Sequence, residues 1–195
     1  MKRLSEKLTA YVINAGAVSE ELYAVYQYGF QIGLEMLCCF VFCLGISVYL
    51  HMIPQFIVFT GIFMLLRTYA GGVHLNSFGA CFFCSVAVQT AALLVNDRFK
   101  FSMWSAWIII LVMSILIWRF APVDSISREL DKEEKAHCRK VTMKIIAGIL
   151  VFTGFCTAFR VDEMVSLVAL TALIVFISQC IGMVKYSVEK SFVKE

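Results

Sequence analysis

Charged side chains make up only 16% of the 195 residues, and proline occurs twice, as Pro54 and Pro122. A soluble domain is about 25% charged and about 45–50% apolar, whereas this chain is 61% hydrophobic with a mean hydropathy of +0.83. So little charge cannot cover so apolar an interior in water. That excludes an ordinary soluble domain and makes the bilayer the natural solvent. Two prolines exclude a long proline-rich linker, and there is no low-complexity tract or convincing internal repeat. At this length, residues 1–195 read as one integral membrane domain. The net charge of +3 is too small to point to a nucleic-acid partner.

A continuous apolar core is also missing from Met1–Asn14, so no cleaved signal is expected there. Leu4, Leu8, Tyr11 and Val12 recur at helical spacing. Residues 1–28 therefore read as an amphipathic region, opening with a short helix on the membrane surface. A solvated amphipathic helix fits the same pattern. Cysteine, by contrast, is plentiful, with eight residues, most of them inside apolar runs. Disulfide frameworks belong to small secreted domains, so each cysteine reads first as a small buried hydrophobe.

What the chain has in abundance is apolar stretches of membrane-crossing length. They predict an all-α polytopic protein with about six transmembrane helices: Phe30–Ile53, Gln55–Leu66, Phe78–Val95, Met103–Phe120, Val141–Phe159 and Met164–Val184. The second is short enough to be tilted, extended or re-entrant. With the N-terminus inside, the cytoplasmic segments hold thirteen Lys and Arg residues and the outer loops three, leaving out Lys144 within a span. This asymmetry predicts a multi-pass protein with both termini cytoplasmic. Residues 121–140 form a charged cytoplasmic loop. Its run SISRELDKEEKAHCRK reads as a solvated helix or as a docking surface for a charged peptide or lipid headgroups.

One segment, residues 67–81 (RTYAGGVHLNSFGAC), is loaded with chemistry. Gly71, Gly72 and Gly79 permit sharp turns. His74 and Cys81 are the side-chain types of a thiolate–imidazolium pair. Seven residues along one continuous helix amount to roughly 10.5 Å of rise, too far for a hydrogen bond. The pair therefore requires the chain to break between them, for which Asn76, Ser77 and Gly79 are suited. Cys81 would then occupy the first turn of the third span. There the helix N-terminus lowers a thiol pKa and offers N–H groups to an oxyanion.

The Arg67–Gly72–His74–Cys81 pattern resembles the signature of the accessory gene regulator B (AgrB) family of bacterial membrane endopeptidases. Gln31 with Gly33–Glu35 resembles that family's first span, and Ala121–Asp124 its central loop. The resemblance implies a cysteine endopeptidase of the bacterial cell membrane that needs no cofactor or metal. It would cut a short precursor peptide of the AgrD type and cyclise it to a thiolactone or lactone quorum-sensing pheromone. His74 would be the general base and Cys81 the nucleophile, with Arg67, Gly72, Gln31 and Glu35 supporting the site or the substrate. A homodimer is also compatible with it.

Rival readings rest on the same residues. Cys84 lies one turn beyond Cys81 and spells C-x-x-C with it, a redox pattern. His74 with both cysteines would offer three metal ligands. Arg67 could snorkel to the interface or serve the site, and Glu35 could pair with it. A non-enzymatic transporter or membrane scaffold is the alternative function, although the duplicated broken helices of a transporter are missing.

Overall fold

The computed structural model of the chain describes residues 2–16, 19–73, 78–123 and 131–192. Among these residues lie seven α-helices, one short 3-10 turn and no strand. The helices are α1 (Lys2–Asn14), α2 (Tyr23–Tyr49), α3 (Ile53–Ala70), α4 (Phe78–Arg98), α5 (Met103–Phe120), α6 (Lys132–Ala158) and α7 (Asp162–Phe192). Helices α2 to α7 each carry a stretch long and apolar enough to cross a membrane, so the chain is the six-span all-α protein its sequence predicted.

Span bounds shift where polar residues continue a helix. Helix α3 outruns Gln55–Leu66 at both ends. Pro54 sits in its first turn, where a missing N–H costs no intrahelical bond. Thr68 in its last turn donates its hydroxyl to the Met64 carbonyl at 2.8 Å, so its polarity is satisfied within the helix. Helix α6 starts well before Val141, because the charged stretch from Lys132 is itself helical. Glu134 accepts from the Asp131 N–H at 3.2 Å, and Glu133 and Glu134 in the first turn complement the helix dipole.

The bundle is organised around α7, which packs against α3, α4, α5 and α6, while α2 attaches mainly through α4. Leu66, Ile110, Ile117, Val165, Val168 and Ala169 form the middle of the main core. Phe59, Ala92, Leu93 and Leu167 form a second cluster between α3, α4 and α7. Helix α1 doubles back on the first half of α2, with Gln27 Nε2 donating to Glu6 Oε1 at 3.4 Å. Its buried face is Ser5 and Thr9, whereas Leu4 and Tyr11 stay exposed. Small residues four apart let two helices approach closely, which explains why this face, rather than the bulky apolar one, meets α2.

The two ends of the bundle differ. At one end the turns are tight, and His51 (φ 58°) and Arg160 (φ 59°) take left-handed conformations within them. Glu163 gathers the elements there, accepting from Gln55 Nε2 at 2.8 Å and Lys100 Nζ at 3.3 Å. The longer connections lie at the other end, including the one that follows α3.

Candidate active site

Helix α3 stops at Ala70 because Gly71 adopts φ +83°, a region that side chains with a Cβ disfavour. A Cβ there would also lie 2.9 Å from both the N and the O of Val123. The chain therefore leaves the helix at a point where only glycine fits, and Gly71 through Val73 are non-helical. This strap is held on several sides. The Ala70 carbonyl accepts from the Val123 N–H and from Gln179 Nε2, each at 3.1 Å. The Val73 N–H donates to the Ser178 carbonyl at 3.1 Å. The Val73 carbonyl accepts from the Arg67 guanidinium.

Arg67 thus bonds the strap backbone through its guanidinium. It is half-buried, turned back onto the strap, with its guanidinium carbon 5.7 Å from the centroid of the Phe63 ring. It does not pair with Glu35, which instead accepts from Gln31 Nε2 at 3.0 Å. Gln31 and Glu35, one turn apart on α2, thus bond to each other. Gly72 is half-buried against α7. A Cβ on it would meet the Ser178 hydroxyl at 2.9 Å, a neighbour able to rotate away, so Gly72 is less strictly required than Gly71.

His74, with Leu75, Asn76 and Ser77, lies outside the described residues. Helix α4 is described from Phe78, with Cys81 three residues further on. The non-helical backbone that is described, residues 71–73, precedes His74, and the break expected between His74 and Cys81 lies outside the described residues. Cys81 is half-buried and Cys84 exposed. Cys81 is within electrostatic reach of Cys39 on α2. Phe82 reinforces this α2–α4 contact, edge-on to Phe42 with ring centroids 5.4 Å apart. The two cysteines of the C-x-x-C pattern therefore occupy different environments, and both are free thiols. Of the charged loop, residues 124–130 lie outside the described set. Beyond it Arg139 stacks over Trp118 with its guanidinium carbon 4.6 Å from the ring centroid, tying α6 to the end of α5.

The strap's partners on α7 escaped the sequence reading. Ser178, Gln179 and Gly182 lie in its most apolar span, which seemed to need no explanation. The available signal was Gln179 itself, an amide deep in a membrane helix, where polar groups are costly unless bonded.

A protein-family model described as accessory gene regulator B matches residues 5–183. The chain belongs to the accessory gene regulator B family. Its similar relatives include AgrB-like proteins of Listeria innocua, Listeria welshimeri and Listeria monocytogenes. Each is 26% identical over 159 residues, covering 82% of this chain and 77% of the relative. No solved structure matches. Membership in AgrB connects the chain to the processing step of Agr quorum sensing and, with its six apolar helices, to a multi-pass membrane location.

Proposed function

We propose that this AgrB-family protein is a membrane cysteine endopeptidase that cleaves an AgrD-type precursor peptide and closes it into a thiolactone or lactone. The observation that carries the reading is the helix break between Ala70 and Phe78. It puts Arg67 and Cys81 on separate helices, with Cys81 three residues after the first described residue of α4. Had α3 and α4 been one helix, the histidine and cysteine would stand about two turns apart, beyond proton-transfer reach.

In the proposed reaction His74 takes the proton of Cys81, and the thiolate adds to a backbone carbonyl of the precursor. N–H groups in the first turn of α4 have no intrahelical acceptor and are suited to the developing oxyanion. Collapse of the adduct breaks the peptide bond. The leaving amine departs with the proton from His74, and the peptide remains as a thioester on Cys81. A cysteine or serine side chain of the same peptide then displaces Cys81, which regains its proton as the ring closes. Exchange of one thioester for another is nearly balanced in energy, so exclusion of water decides between ring and hydrolysed peptide.

Co-expression with the cognate precursor and mass analysis of the peptide tests this. Cys81→Ala should abolish cleavage while the protein stays in the membrane, because the covalent path is lost. His74→Ala should cause a comparable loss, since base and nucleophile act as a unit. Cys84→Ala should keep most activity. Cleavage that survives Cys81→Ala but not Cys84→Ala would reassign the nucleophile, and cleavage that survives both would remove thiol chemistry. The same reading puts the motif at the cytoplasmic face with both termini inside, as the Lys and Arg distribution favours. Reporter fusions after Ser102 and after Arg160 should then report the outside, and a cytoplasmic signal at both would overturn that orientation.

A further inference from the structure

Helix α7 carries none of the motif, yet the segment that leads to His74 lies directly on it. Gln179 has no exposed surface, and a buried amide needs its hydrogens placed. Its Nε2 donates to the Ala70 carbonyl at 3.1 Å and to the Ile117 carbonyl at 3.3 Å. Ala70 is the last residue of α3, where helix carbonyls run out of intrahelical donors. Ile117 lies in the last turn of α5, its carbonyl also accepting from the Ala121 N–H at 2.9 Å. One amide thus joins the end of α3 to the end of α5. One residue earlier, the Ser178 carbonyl accepts from the Val73 N–H. One turn later, Gly182 lets the strap lie directly on α7. A Cβ there would stand 2.9 Å from the Gly72 carbonyl carbon and 3.1 Å from both the Gly72 oxygen and the Val73 nitrogen. Residues 179 and 182, three apart, share a face of the helix, and with the adjoining Ser178 carbonyl they hold Ala70, Gly72 and Val73.

We infer that Gln179 and Gly182 are positioning residues of the site: they fix the strap on α7 and so set where His74 enters it. Val73 shares a planar peptide unit with the residue that follows, which is His74. Holding Val73 at its N–H from α7 and at its carbonyl from Arg67 therefore constrains the chain at the step into His74. This inference rests on the proposed roles of His74 and Cys81.

The test uses the full-length protein in membranes, co-expressed with its precursor, and reads two quantities. One is precursor cleavage; the other is the pH profile of Cys81 alkylation, which a paired imidazole extends to lower pH. Gln179→Met keeps the volume and removes both donors. Cleavage should fall by about ten- to a hundredfold, the loss that follows misplacement of a reacting group by about an ångström. The Cys81 alkylation profile should move to that of His74→Ala. Gln179→Asn keeps the amide but shortens its reach, and should recover part of both; it is the variant to read if Gln179→Met does not accumulate. Gly182→Ala should give the same paired change. Cleavage within about threefold of the parent in these variants would overturn the inference, because a misplaced base costs more than that. A loss of cleavage with an unmoved alkylation profile would also overturn it. If His74→Ala itself leaves cleavage and profile unchanged, the catalytic reading fails instead, and the two failures are thereby told apart.

Discussion

Helices α2 and α7 look alike in sequence and differ in position. Their best membrane windows have mean hydropathies of 2.1 and 2.4, yet 11% of the first is buried within the protein and 44% of the second. Hydropathy reports whether a helix prefers the membrane, not what surrounds it there, because a leucine finds lipid tails about as apolar as other leucines. Side-chain size and polarity separate the two. Along α7, Ser166, Ala169, Thr171, Ala172 and Gln179 are buried. These small or hydrogen-bonding residues let neighbouring backbones come close. Along α2, Leu37, Val41 and Tyr49 are mostly exposed and suit contact with lipid. The central helix of this fold is the one whose apolar run is interrupted by small and polar residues.

Substitutions can break that contrast. The largest effect is expected at Ala169, which is fully buried in the main core. Ala169→Leu should destabilise the protein by about 1–3 kcal/mol or more through overpacking, read as a lower thermal midpoint in detergent. A neutral result would mean that α7 is not tightly enclosed. A smaller effect is expected at the opposite end of the bundle, where Glu163 of α7 holds Gln55 and Lys100. Glu163→Gln leaves a neutral acceptor in place, and its cost should be up to about 1 kcal/mol, reduced further by salt, because the ion pair is partly exposed. Salt-independent loss of several times that size would show that the pair is far better shielded than its exposure implies. The smallest effect belongs to α2. Val41→Ala, at an outward position, should change stability by no more than about 0.5 kcal/mol. If it costs as much as Ala169→Leu, the outer face of α2 is covered by protein rather than lipid.

The same contrast marks how far the sequence could be read. Six spans were legible because membrane helices must be long and apolar, and Met103–Phe120 coincides with α5 to the residue. The ends of α3 and α6 were not, since Arg67, Thr68 and the charged stretch from Lys132 lower hydropathy while remaining good helix. In the candidate site, Arg67, Gly72 and Cys81 stood out by residue type, as a charge, a turn former and a thiol, and the requirement for a break between His74 and Cys81 followed from helix geometry alone. The described chain leaves helix at Gly71, before His74. Gly79 lies within α4, and Asn76 and Ser77, where the break between His74 and Cys81 was expected, lie outside the described residues. Gln179 and Gly182 were illegible for a different reason. They act on backbone atoms of a segment roughly a hundred residues away in the chain, and no local periodicity records such a contact.

Ser178 and Gly182 touch the same strap in ways that a mutational survey would score oppositely. The Ser178 contribution is its main-chain oxygen, which every amino acid supplies, while its hydroxyl is buried with no partner among the described residues. The Gly182 contribution is an absent side chain, which no other amino acid reproduces. A survey of single substitutions would therefore register one neighbour of the strap as dispensable and the next as intolerant, although both bear on the single peptide unit between Gly72 and Val73.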